Sequence, residues 1–148
     1  MKKILGISIL MFFGMFVSAQ SGTIKVVIPK IQSDKGNIKV ALYNKEGSDG
    51  FLKDLNSAYK KKQVEIKNNS AVIILNIPYG TYAVSLFQDE NNNSIIDRAA
   101  IGFPVEPYGI SGNKNTIGPP KFDDAKFSFN KPYLRLNIIL KTYIKRNF

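Results

Sequence analysis

The sequence predicts an all-β fold, an antiparallel β-sandwich of about seven strands, and three observations carry that prediction. Apolar residues recur at every second position in short runs, the pattern of strands that bury one face. Turn-forming Gly, Pro, Asn and Asp separate those runs at short intervals. Beyond the N-terminal segment, no stretch sustains the 3.6-residue apolar period of a long helix, which leaves sheet packed on sheet as the way to close a core.

The chain opens with Lys2 and Lys3, continues as an apolar run over residues 4–17, and reaches Val17-Ser18-Ala19 before Gln20. A positive start, an apolar core and a small-residue cleavage site make a secretory signal peptide, cleaved after Ala19. A membrane anchor is the other reading, but the run is shorter than the roughly 20 residues that span a bilayer, and it contains Ser8. No Cys stands at the cleavage site to carry a lipid. The expected organisation is a signal peptide over residues 1–19 and a single β-sandwich domain over residues 20–148. The mature form is expected in the periplasm or outside the cell, without a transmembrane segment.

In the mature chain Ile24, Val26 and Ile28 alternate with Lys25 and Val27 up to Pro29, and Ile38, Val40 and Leu42 repeat the pattern after the turn signal Ser33-Asp34-Lys35-Gly36. Phe51, Leu52 and Leu55 fall at helical spacing and predict one helical turn over a sheet edge. Residues 62–66 and 71–77 flank Lys67-Asn68-Asn69-Ser70 and read as a hairpin. The second of these runs is almost wholly apolar, as a strand buried on both faces or lying against a facing sheet would be. After Pro78-Tyr79-Gly80, residues 81–88 put Tyr82, Val84 and Leu86 on one face and Thr81, Ala83, Ser85 and Phe87 on the other, which predicts a central strand. Residues 89–124 have the least periodicity and predict a long irregular excursion, the kind of loop that tends to carry function. Residues 125–129 and 133–143 then flank a turn at Asn130-Lys131-Pro132, with Leu134, Leu136, Ile138 and Leu140 in alternation.

The 148 residues hold 21 Lys and Arg against 11 Asp and Glu, a formal net charge of +10, with no His and no Cys. That inventory excludes an imidazole base, a thiolate nucleophile, a disulfide and a zinc–thiolate site. Carboxylate, hydroxyl and Lys chemistry remain. The basic residues are scattered, so no specific nucleic-acid partner is expected. Their one run, Lys60-Lys61-Lys62, reads as protection of a strand edge, with polyanion binding as the other reading.

One constellation carries chemistry. Counting Asp89 as position one, Asn91 is three, Asn93 five, Ile95 seven and Asp97 nine, the oxygen spacing of a calcium loop, in which Ile95 contributes its carbonyl. Calcium is the one cofactor the sequence suggests. Ser94 stands where a sharp turn calls for Gly, and Ala100 occupies position twelve, where a bidentate acid normally closes the shell; Glu90 or Glu106 would have to supply it. Asp89 and Asp97 are expected at the surface. The competing reading is an Asx-rich turn in which Asp and Asn side chains bond their own backbone.

Tyr79, Phe103 and Tyr108, with Glu106, form a second candidate, an aromatic platform for a cell-envelope glycan or protein; the alternative is that these rings pin the long loop to its own domain. Glu106 with Asp123 or Asp124 is the remaining acidic set, a glycosidase carboxylate pair if the two sides converge. No catalytic residue is assigned.

The segment Leu75-Asn76-Ile77-Pro78-Tyr79-Gly80-Thr81-Tyr82-Ala83-Val84 resembles the strand–turn–strand signature of transthyretin-like and collagen-adhesin B-type sandwiches. Three motifs extend the likeness in order: Asp89 to Asp97, Ile101-Gly102-Phe103-Pro104-Val105-Glu106-Pro107-Tyr108-Gly109-Ile110-Ser111, and Pro120-Lys121-Phe122-Asp123-Asp124-Ala125. With them the chain resembles a widespread family of exported bacterial proteins, domain of unknown function number two-one-four-one, departing from its pattern at Ser94, where the family has Gly. The resemblance implies a sandwich, immunoglobulin-like or transthyretin-like, and export; it implies no activity. The expected function is an exported, non-enzymatic binding or structural module. A carbohydrate- or polyanion-binding module of the cell envelope, and a carboxylate-based glycoside hydrolase, are the alternatives.

Overall fold

The computed structural model describes residues 20–112 and 118–142; the expected signal peptide lies outside them, as does Tyr143 at the end of the last expected strand. The described chain is all-β apart from one short helix. Eight strands form two sheets: β1 (Ser21–Ile28), β2 (Asn37–Tyr43), β3 (Lys60–Glu65), β4 (Ala71–Pro78), β5 (Gly80–Asp89), β6 (Tyr108–Ile110), β7 (Phe127–Phe129) and β8 (Tyr133–Asn137), with the helix α1 (Phe122–Ala125) before β7. One sheet has the order β4-β1-β8 and the other β3-β2-β5-β6, with β7 also paired to β5.

The alternation that predicts the strands also builds the core. Ile24, Val26 and Ile28 of β1 and Ile73, Leu75 and Ile77 of β4 face Ile38, Val40 and Leu42 of β2 and Tyr82, Val84 and Leu86 of β5 in one buried cluster. Burying side chains of this size stabilises the fold by about 1.5–3 kcal/mol each before chain entropy is charged against it. At the β4–β5 turn the Tyr82 hydroxyl donates to the Pro78 carbonyl at 3.0 Å, so the ring enters the core while its polar end stays satisfied. As the periodicity predicts, β5 is central and buried on both faces, with β2 on one side and β6 and β7 on the other.

Several expectations are corrected. Residues 62–66 and 71–77 are not a hairpin. Their backbones meet in the isolated Lys67–Ser70 bridge; β3 pairs with β2 and β4 pairs with β1, because the chain crosses between sheets at that turn. Of the two readings of the apolar run 71–77, the facing sheet holds and burial on both faces does not: Ile73, Leu75 and Ile77 pack into the core, whereas Val72 and Ile74 are exposed, since nothing covers the outer side of the three-stranded sheet among the described residues. β8 runs parallel to β1, the one departure from antiparallel pairing among the described strands. Residues 51–55 are not a helical turn. Two 3₁₀ turns, Ser48–Gly50 and Leu55–Ser57, flank Leu52 in a left-handed conformation, and Phe51 is buried over the outer face of the five-stranded sheet with Tyr43 and Phe122.

The lysine run has a structural task at an edge. Lys60 and Lys62 lie opposite Leu42 and Val40, on the core side of β3. From there Lys62 Nζ donates to the Ile74 carbonyl at 2.9 Å and Lys60 Nζ to the Asn76 carbonyl at 3.3 Å, covering acceptors on the β4 edge that would otherwise invite another strand.

Candidate functional site

The chain leaves β5 at Asp89, which is fully buried rather than at the surface. The register pairs Asp89 with Asn37, and Gly36 beside it has φ 68°; a Cβ there would stand 1.8 Å from the Asp89 carbonyl oxygen, so only glycine admits this approach. The buried carboxylate organises the turn. Asp89 Oδ1 accepts from the Asn93 N–H at 3.0 Å and Oδ2 from the Ser94 N–H at 2.9 Å, with Lys39 Nζ 3.5 Å from Oδ2. Asn91 Oδ1 also accepts from the Asn93 N–H, and Asn93 Oδ1 from the Ile95 N–H, at 3.1 and 2.8 Å. Asn92 and Ser94 are left-handed, at φ 60° and 65°. Ser94 thus adopts the conformation that glycine would take there, at a steric cost of about 1 kcal/mol.

The spacing brings its polar side chains together. The amides of Asn91 and Asn93 donate to the two oxygens of Asp97, at 2.7 and 3.1 Å. Ile95 projects into solvent at 65% exposure, and Ala100 is exposed at position twelve. No group of three acids is placed to hold a metal ion among the described residues, and the Lys39 ammonium opposes the charge of Asp89.

Glu106 lies beneath the loop, 2% exposed. Its Oε1 accepts from the Glu90 N–H at 2.9 Å and its Oε2 from the Asp97 N–H at 3.0 Å, so one carboxylate ties both ends of the turn. Burial pushes the Glu106 carboxyl above its ordinary range; the two N–H donors oppose that shift, and the neighbouring Asp97 and Asp89 add to it. From Asp97 the chain forms a small hairpin, with Val105 N–H donating to the Asp97 carbonyl and Ala99 N–H to the Phe103 carbonyl, and Phe103 is exposed near its tip.

The proposed aromatic platform is not brought together. Tyr108 pairs with Phe87 near the loop end of β5, whereas Tyr79 precedes the other end of that strand, about 26 Å away at 3.3 Å per residue, and packs edge-on against Phe129. The acidic residues at the end of the excursion serve α1: Asp123 pairs with Lys126 at 2.7 Å, and Asp124 accepts from the Lys121 N–H at 2.8 Å. The acids whose charge Glu106 feels are Asp97 and Asp89.

Two residues outside the sequence-derived set complete the site. Asn37, nearly buried, donates from Nδ2 to Asn92 Oδ1, while its own Oδ1 is buried without a hydrogen-bond partner. Lys39 bonds Ser94 Oγ at 3.0 Å as well as facing Asp89. A polar residue at the start of β2 is the only sequence signal of this pairing, and its meaning depends on a register that one strand alone cannot reveal.

Two sheets around one core, with an Asx-rich loop clasped at the end of the central strand, define a β-sandwich module. The model of the family described as "Uncharacterized protein conserved in bacteria (DUF2141)" matches residues 26–136, from within β1 to within β8, and the chain belongs to that family. No curated protein and no solved structure matches it.

Proposed function

We propose that the protein is an exported, non-enzymatic β-sandwich module that binds calcium weakly through Asp89, Asn91, Asn93, Asp97 and the Ile95 carbonyl, and meets a cell-envelope glycan or protein with the surface of loop 89–111. The observation that carries the reading is the pairing of the Asn91 and Asn93 amides on the Asp97 carboxylate. The side chains at positions three, five and nine already share one small volume, and rotating the two amides would turn oxygen ligands to an ion in exchange for the bonds those oxygens now accept from the Asn93 and Ile95 N–H groups. The missing twelfth ligand and the Lys39 ammonium both weaken the site, which suits the roughly 10⁻⁴–10⁻³ M affinities of extracellular calcium modules.

A ligand held only by the folded state raises stability by RT ln(1 + [L]/Kd), about 1.4 kcal/mol at ten times Kd, or a few degrees in melting temperature. Millimolar calcium should produce that rise in the purified protein and magnesium less, since its small octahedral shell fits a carbonyl-containing loop poorly. Asp97→Ala is the diagnostic variant, because Asp97 is only partly buried whereas Asp89 is enclosed. A melting temperature indifferent to calcium leaves the Asx-turn reading in its place.

A further inference from the structure

The outer faces of the two sheets differ in cover and in charge. Phe51 and Phe122 pack over the five-stranded sheet, whereas among the described residues nothing covers the three-stranded one. Its register brings Ile74, Lys25 and Arg135 into one row across β4, β1 and β8, with Val72 and Tyr133 in the rows on either side. Val72, Ile74 and Tyr133 are 42%, 43% and 52% exposed, so this face holds apolar surface in water.

Charge on the face is of one sign. All 11 Asp and Glu of the chain fall within residues 34–65 and 89–124, so β1, β4 and β8 carry none. The acids nearest the crossover turn are engaged, Asp34 by the Asn69 N–H and Glu65 by Lys67. Lys25 and Arg135 stand at paired positions of neighbouring strands, a like-charge pair that opposes folding and has no acid on the sheet to balance it. Lys60 and Lys62 add two ammonium groups at the β4 rim. The neutral polar groups of the face are largely engaged: Thr23 Oγ1 donates to Asn76 Oδ1 at 2.9 Å, and Asn137 Oδ1 accepts from Arg135 Nε at 3.3 Å. The face therefore offers cations and alkyl surface rather than an array of directional hydrogen bonds. That chemistry suits an anionic lipid surface better than a sugar.

We infer that the outer face of the three-stranded sheet docks on an anionic phospholipid bilayer, with Lys25 and Arg135 among the headgroup phosphates and Val72, Ile74 and Tyr133 against the interface. The face lies on the other sheet from the Asp89–Asp97 loop and needs no calcium. The experiment is run in a chelator, so the two readings fail separately.

Residues 20–148 are the protein used, because both sheets and the core lie within them and the apolar run 4–17 would itself bind lipid. Sedimentation with vesicles of phosphatidylglycerol and phosphatidylcholine should show saturable binding that salt weakens, and binding to phosphatidylcholine alone should be roughly tenfold weaker. Lys25→Gln, Arg135→Gln should weaken binding to the anionic vesicles roughly tenfold while melting at or above the wild-type temperature, since it relieves a repulsion. Lys45→Gln, Lys53→Gln removes the same charge from the connection between β2 and β3 and should bind as wild type does. Val72→Thr, Ile74→Thr keeps the β-branched shape but puts hydroxyls on the face, and should weaken binding roughly threefold. Should a double variant melt early, its exposed single variant, Arg135→Gln or Val72→Thr, decides in its place. The inference is overturned by absent binding, by equal binding to neutral vesicles, by unchanged affinity in Lys25→Gln, Arg135→Gln, or by an equal loss in the Lys45, Lys53 control. It is overturned as well if the threonine variant binds like wild type, which makes the face a site for a soluble polyanion.

Discussion

Two Asn-rich turns sit at different corners of this molecule and do different things. At 67–70 the chain reverses in two residues, Asn68 and Asn69, at φ 50° and 54°, closed by Lys67 N–H to the Ser70 carbonyl and Ser70 N–H to the Lys67 carbonyl. The Asn69 side chain then reaches away from the turn, donating to the Ile31 carbonyl at 2.9 Å, and so pins the crossover to the segment after β1. At 89–97 the polar side chains at alternate positions turn inward while Ile95 faces solvent, and two of them, Asn91 and Asn93, donate to Asp97. Asparagine content signals a turn in both places; only the two-residue spacing distinguishes a turn that fastens the chain from one that gathers oxygen atoms.

The largest effect belongs to the residue that only the second turn possesses. Glu106→Ala removes the acceptors of the Glu90 and Asp97 N–H groups, and two charge-assisted bonds lost at a buried site cost about 3 kcal/mol, on the order of 10 °C in melting temperature. The calcium response should vanish with it, because the ends of the loop are no longer held. Glu106 also gives the loop a pH dependence of unusual sign. Its folded-state pKa is raised above the ordinary 4.5, chiefly by burial, so between 4.5 and that raised value the folded protein binds more protons than the unfolded chain. This contribution to stability is therefore greatest below the window and falls as pH rises through it. Glu106→Gln cannot titrate, so denaturant melts should show the stability of wild type rising relative to this variant between pH 7 and pH 5. A gap that stays constant or narrows removes Glu106 as the source.

The sandwich was legible in the sequence because burial on one face imposes period two: Ile24, Val26 and Ile28, then Ile38, Val40 and Leu42, alternate in the chain and in the core alike. Where both faces of a run are apolar the signal fails. Val72 and Ile74 look as buried as Ile73 and Leu75, and only the absence of a covering layer separates them. Strand partners were equally invisible. The turn at 67–70 implies a hairpin locally, yet β3 and β4 belong to different sheets, and the parallel pairing of β8 with β1 is a long-range choice without a local signature. β6, three residues long inside the excursion, is too short to show alternation. The loop spacing from Asp89 to Asp97 was readable. The enclosure of Asp89 and the partnership with Asn37 and Lys39 were not, because both depend on the β2–β5 register.

The crossover turn offers a smaller effect and a clean control. Asn69→Ala leaves a left-handed residue without the polar side chain that favours that conformation and deletes the bond to the Ile31 carbonyl, which together cost about 1–2 kcal/mol. Calcium should raise the melting temperature of this variant by the same increment as in wild type, since the Asn69 hydrogen bonds run to Ile31 and Asp34 rather than to the 89–97 loop. An increment that shrinks in Asn69→Ala means that calcium acts on the whole fold rather than on one loop.

The smallest effect is a gain. Ser94 has φ 65° at position six of the loop, where its Cβ is disfavoured and glycine is not. Ser94→Gly relieves roughly 1 kcal/mol of steric cost but adds freedom to the unfolded chain and loses the Lys39 to Ser94 Oγ bond, so the net stabilisation is only a few tenths of a kcal/mol. Its consequence for the ion is larger than its consequence for the fold. Without that hydroxyl, Lys39 loses one of its anchors beside Asp89, and a turn with less strain holds its ligands at lower cost, so calcium should bind more tightly and the melting-temperature increment at a fixed sub-saturating concentration should grow. If Ser94→Gly stabilises the protein but leaves the increment unchanged, the left-handed residue serves only the turn, and the 89–97 loop then differs from the 67–70 turn in shape and not in chemistry.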